Sequence, residues 1–172
     1  MKTNMNRKGI SNVVATIILI AVAIALAVAV AVWVFGLAGS ASKAATLQIQ
    51  AVGLNNTATL SSNTPAYLSL LVSNPSSAAI GINGFTLGSL SCVFSSPISV
   101  PAGTQGELLV IALTGSSGNF TGVSAIYLGG SQLSSISTTC SGKQAAQVGV
   151  QYSGYVTTVS GQTYPFTVTA TS

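Results

Sequence analysis

Residues 13–39, VVATIILIAVAIALAVAVAVWVFGLAG, hold a single polar side chain, Thr16, in 27 positions. Such a run has few places to go, because a helix that is apolar on every face must be covered on every face. As a helix it is about 40 Å long at 1.5 Å per residue, longer than the roughly 30 Å hydrocarbon core of a bilayer. The alternation of Ala with Val, Ile or Leu from Ala21 to Val32 imitates a strand period. Length decides against a strand, since a lone strand leaves its backbone unsatisfied in lipid. The run reads as a membrane-spanning helix that continues through Lys43 to about Thr46, where charge and polarity return. A cleaved secretory signal competes with this reading, with Gly39-Ser40-Ala41 imitating a cleavage site. The apolar region of such a signal is roughly 7–15 residues, well short of what stands here.

Charge fixes the orientation. Lys2, Arg7 and Lys8 precede the run, and Lys43 follows it. The positive-inside rule keeps the N-terminus in the cytoplasm and sends residues 45–172 outside. The only other charged side chains are Glu107 and Lys143. A net charge of +4 concentrated at one end leaves no basic patch to track phosphates, which excludes nucleic acid as a partner.

The rest of the chain reads as all-β. TLQIQAV (46–52), AYLSLLVS (66–73), LLVIALT (108–114), VSAIYLG (123–129), AQVGVQY (146–152) and YPFTVTAT (164–171) are strand-like runs. Turn signals stand at Asn74-Pro75, Asn83-Gly84, Pro101-Ala102-Gly103, Gly115-Ser116-Ser117-Gly118 and Gly129-Gly130. Residues 154–169 read as a terminal hairpin turning at Ser160-Gly161. The expected fold class is α+β, a lollipop in outline: a long hydrophobic helix, then an immunoglobulin-like β-sandwich.

The inventory leaves little for catalysis. The chain has no His, no Asp and one Glu. A carboxylate pair needs two acids, and a Ser-His-Asp arrangement needs two residue types that are missing. Zinc and calcium sites lack their ligands. Ser141-Gly142-Lys143 lacks the upstream glycines of a phosphate loop. A Ser-Lys pair through Lys43 or Lys143 says nothing, because serine is abundant. The expectation is no enzyme, no metal and no cofactor.

Other features suit an exterior location. In an exported chain, Cys92 and Cys140 read as one disulfide, closing a loop of about 49 residues worth roughly 4 kcal/mol; two buried thiols are the alternative. Asn55-Asn56-Thr57 and Asn119-Phe120-Thr121 fit the N-glycosylation triplet at Asn55 and Asn119, with unmodified turn residues as the alternative, while Asn74-Pro75-Ser76 is excluded by its proline. Dense Ser and Thr give opportunity for O-linked sugar. With Glu107 as the only acidic side chain, the exterior domain gains little charge on acidification. Tyr152, Tyr155 and Tyr164 are candidates either for an aromatic sugar platform or for packing between strands. Within the apolar run, Ala21, Ala25 and Ala29 form one four-residue stripe, and Ala23, Ala27 and Ala31 a second, about 200° away. Small-residue stripes permit close approach of helices on two sides; alanine is also simply a good helix former.

Arg7-Lys8-Gly9 followed by ISNVVATIILIAVAIALAVAVAV resembles the class III signal peptide of archaeal type IV pilins, over roughly residues 5–45. The resemblance implies three parts: a cytoplasmic leader (1–9), a helix (10–45) serving as membrane span and then filament core, and an extracellular β-domain (46–172). It implies cleavage between Gly9 and Ile10 by a prepilin peptidase. Arg7 and Lys8 would hold the leader in the cytoplasm, and Gly9 would open the scissile bond. The implied partners are that peptidase, an assembly ATPase, a membrane platform protein and further copies of the chain in a homopolymer. The implied location is an extracellular filament, with a precursor in the cytoplasmic membrane. Lys43 would sit near the helix end, where a cation suits the dipole. Bacterial pilins usually carry Glu as the fifth mature residue; here that place is Val14, so their subunit-registration mechanism does not carry over. Archaellum subunits share the leader and are the rival within the family. A monomeric membrane-anchored surface domain is the rival outside it.

Overall fold

The computed structural model describes residues 7–42 and 46–172. The chain divides into two compact units, Met1–Ala44 and Ala45–Ser172.

The described residues of the first unit form one helix, α1 (Arg7–Ser42), of 36 residues. Its many β-branched residues lower helix propensity only slightly, and an uninterrupted helix satisfies every interior backbone group without outside help. The hydroxyl of Thr16 donates to the carbonyl of Asn12 at 2.8 Å, so the one polar side chain of the run is satisfied within the helix. Thr46 lies outside any regular element. The stretch from Lys43 to residue 45, where the sequence places the end of the helix, lies outside the described residues.

The second unit is a sandwich of two antiparallel sheets. Its strands are β1 (Gln48–Asn55), β2 (Ala66–Asn74), β3 (Ile80–Leu87), β4 (Leu90–Val100), β5 (Thr104–Ser116), β6 (Asn119–Leu128), β7 (Ser131–Gln132), β8 (Thr138–Ser141), β9 (Gln144–Ala145), β10 (Gln151–Thr158) and β11 (Thr163–Thr169). Sheet I runs β1-β2-β5-β6-β7, with β9 also paired to β6; sheet II runs β11-β10-β3-β4-β8. The layout is immunoglobulin-like: β1 and β2 lie in one sheet, β3 crosses to the other, and β10 and β11 return beside β3. It differs in one hairpin. The strand beside β2 is β5 and the one beyond it is β6, whereas in the immunoglobulin order the farther of these two strands comes first in the chain.

Alternation builds the core. In β2, Ala66, Leu68, Leu70 and Val72 are fully buried, and the residues between them face outward. They meet Ile82, Phe85, Leu87, Leu90, Ile98 and Val100 of sheet II in one cluster. Tyr152 closes one end. Its hydroxyl donates to the carbonyl of Ala145 at 2.7 Å and accepts from the amide of Gln147 at 2.8 Å. Its ring meets Phe120 edge-on at 6.0 Å. This is the tyrosine-corner arrangement, a buried Tyr at the start of a strand tied to backbone a few residues upstream. At the other end Asn74, fully buried, ties two crossings between the sheets. Its amide donates to the carbonyls of Ala78 (2.8 Å), Val100 (3.0 Å) and Pro101 (3.1 Å), and its Oδ1 accepts from the amide of Ser76.

Two sequence expectations are corrected. Asn83-Gly84 is not a turn but a bulge inside β3, where the register to β4 shifts between Ile82 and Gly84. The bulge moves the buried positions from Ile80 and Ile82 to Phe85 and Leu87, so inward apolar residues continue after a change of parity. Gly84 fits because the strands approach closely there: a Cβ would lie 2.6 Å from the carbonyl oxygen of Cys92. The run AQVGVQY is not a strand along its length. Ala146–Val150 form a loop with Val148 and Val150 exposed, and β10 begins at Gln151.

Candidate functional site: the apolar helix and the faces of the sandwich

Every side chain from Ser11 to Ala38 is exposed. This 28-residue segment is long and apolar enough to cross a membrane. Trp33 (67% exposed) and Phe35 (76%) stand at its C-terminal part. Between Val13 and Leu37 sixteen large apolar side chains lie open. Covering them is worth tens of kcal/mol at about 25 cal/mol per Å². The helix is continuous, so Ala21, Ala25 and Ala29 keep one face and Ala23, Ala27 and Ala31 another. Gly36 adds a further small position, with nothing within 4 Å of where a Cβ would stand.

Arg7, Lys8, Gly9 and Ile10 form the first turn of α1. The Gly9–Ile10 peptide bond lies within α1. Residues 1–6 and Lys43 lie outside the described residues.

The remaining predicted residues are in the sandwich. Cys92 and Cys140 face each other across β4 and β8 and are joined as a disulfide, with Cα atoms 4.1 Å apart. The bridge lies within sheet II, not between the sheets as in antibody domains. It clasps the four-residue β8 to its neighbour. Asn55 ends β1, and its Oδ1 accepts from the hydroxyl of Thr171 at 2.8 Å. The third residue of its triplet, Thr57, is buried, and its hydroxyl has no hydrogen-bond partner among the described residues. Asn119 opens β6 after the Ser117–Gly118 turn and donates to the carbonyl of Ser117 at 3.1 Å. The two triplets are thus not equivalent: only that of Asn119 follows a surface turn, with its third residue, Thr121, half-buried.

The three tyrosines are separated. Tyr152 is core, Tyr164 is half-buried with its hydroxyl donating to Gln162 Oε1 at 2.7 Å, and Tyr155 stands 44% exposed on the outer face of sheet II. Period-two alternation carries the signal for this split, because residues three apart on a strand point to opposite faces. The outer faces of the two sheets differ. On sheet I, Tyr67, Leu71, Leu108, Val110 and Tyr127 lie outward of the core, with Leu108 39% exposed. On sheet II, Thr86, Ser91, Thr139, Ser153, Thr157 and Thr167 carry hydroxyls outward. A separate cleft of about 620 Å³ lies beside Gly81, Pro97 and Val159. Among the described residues no group of three or more His, Cys, Asp or Glu comes together. Glu107 folds over the Gly129-Gly130 turn, and Lys143 is exposed.

No protein-family model matches the chain, and no curated protein does so either.

Proposed function

We propose that this chain is the structural subunit of an archaeal type IV pilus, trimmed after Gly9 and polymerised through α1 into an extracellular filament for adhesion. The observation that carries this reading is the junction of Arg7-Lys8-Gly9 with a helix whose apolar side chains are exposed all round. A one-sided helix would fit a soluble core, and a short one a discarded signal. A long, all-round apolar helix suits two successive environments, lipid and then a bundle of identical helices. The two alanine stripes support the second environment, since each permits close contact with a neighbour. Transfer between the two keeps the apolar surface covered, so a dedicated ATPase and platform protein need supply only the work of extraction. The β-domain, with its sealed core and few charges, is the part exposed to the surroundings.

The test is the mass of the native N-terminus. A mature chain beginning at Ile10, recovered from sheared filaments, is the expected result. An intact Met1 in a membrane fraction without filaments overturns the reading in favour of an anchored monomer. Gly9→Asp is expected to abolish both trimming and filaments; filaments built from that variant overturn the cleavage assignment. Deletion that stops swimming but leaves attachment intact assigns the filament to motility.

A further inference from the structure

The outer face of sheet II carries one exposed aromatic ring in a field of hydroxyls. Tyr155 lies on β10, a central strand, with Pro165 of β11 and Thr86 of β3 as its cross-strand neighbours. Its phenol hydrogen-bonds to none of the described residues. Two depressions flank it and both take Tyr155 and Thr86 as walls. One, about 170 Å³, opens over Gly84 between Thr157 and Val93, where a missing side chain leaves a notch in the cross-strand row. The other, about 350 Å³, lies toward Ser153 and the Gly88 turn.

The chemistry of these walls is specific. Thr86 accepts from the amide of Tyr155 at 3.2 Å through its Oγ1, which leaves its own proton to donate. Ser91, Ser153 and Thr157 add hydroxyls that both donate and accept. No charged side chain lines either depression. Anionic and cationic ligands find no counter-charge there. An aromatic plane for the C–H face of a sugar ring, beside groups that pair with its hydroxyls, is what an uncharged carbohydrate needs.

We propose that this face binds a neutral polysaccharide, with one sugar ring on Tyr155 and its neighbours in the two flanking depressions. The inference deepens the adhesion reading, resting on it only for the ligand's origin on an external surface. The full-length chain, purified in detergent micelles, is tested against immobilised maltoheptaose, cellohexaose and chitohexaose, and against anionic alginate oligomers. Retention on at least one neutral probe, competed by the same free oligosaccharide, is expected. Tyr155→Ala is expected to weaken it about tenfold, Tyr155→Trp to retain it, and Tyr164→Ala, off the site, to leave it unchanged. Circular dichroism of each variant checks that the sandwich is folded. Failure of all three neutral probes with folded protein overturns the proposal. So does equal retention by Tyr155→Ala, or retention on alginate as strong as on the neutral probes. A chain trimmed at Ile10 that ignores neutral glycans sinks this inference alone, whereas one that binds them but keeps Met1 sinks the filament reading alone.

Discussion

The helix and the sandwich use the same apolar residue types in opposite ways. In β2 and β5, Leu68, Leu70, Leu109 and Ile111 are fully buried within the chain. In α1, Ile17, Ile18, Leu19 and Ile20 stand half exposed or more. Both regions satisfy their backbone internally, one by its helical ladder and the other by paired strands. The difference lies in where the free energy of burial is realised. The sandwich collects it on folding, alone. The helix collects it only when something outside the chain covers it. Independent stability and dependence on an environment are therefore written into separate stretches of one sequence.

That contrast can be broken by experiment. The largest effect is expected from removing the clasp on β8: Cys92→Ser with Cys140→Ser, opening a bridge of sequence separation 48, lowers the unfolding free energy of the sandwich by roughly 4 kcal/mol. Guanidinium titration followed by near-ultraviolet circular dichroism reads it, while the far-ultraviolet helical signal in detergent stays put. If both signals collapse together, the two regions are not independent. A smaller effect comes from truncating one side chain in each. Leu70→Ala costs the sandwich about 3 kcal/mol, whereas Val28→Ala shifts the same transition by less than about 0.5 kcal/mol. Equal shifts for the two variants end the comparison. The smallest effect is that of acid. From Ser11 to Ala38 no side chain titrates, and the sandwich has one carboxylate side chain and no histidine. With so few protons taken up on unfolding, its stability changes by less than about 1 kcal/mol between pH 7 and pH 3. A loss of several kcal/mol over that range contradicts the scarcity of titrating groups as the controlling feature.

The two regions also differed in how plainly their sequences spoke. The helix was legible because nothing but a helix accommodates so long an apolar run. β2, the centre of β5 and the β10–β11 hairpin were legible because their alternation is unbroken. β3 and β4 were not. Gly81, Asn83 and Gly84 interrupt the first, and Ser95, Ser96 and Pro97 the second, so both look like loops. The bulge that makes them strands depends on contact with β10 and on the close approach at Cys92, which only the folded chain supplies. AQVGVQY misled for the converse reason: it alternates, but no neighbouring strand pairs with its first half. The surface site was half legible. Tyr155 stood among three candidate tyrosines, and strand parity separates it from Tyr152. The notch at Gly84 is hidden, because Asn83-Gly84 carries the composition of a turn.

The chain enters the sandwich at β1, which pairs with β2 along seven residue positions, from Gln48 opposite Ser73 to Asn55 opposite Tyr67. At its far end Leu54 bridges to Ala170, and the amide of Thr171 donates to the carbonyl of Leu54 at 2.7 Å, fastening the first strand to the last. A force applied to Gln48 along the axis of β1 would load this whole row of bonds in shear rather than peel them off one by one. The strand by which the chain enters the sandwich is thus laid out as a mechanical lap joint.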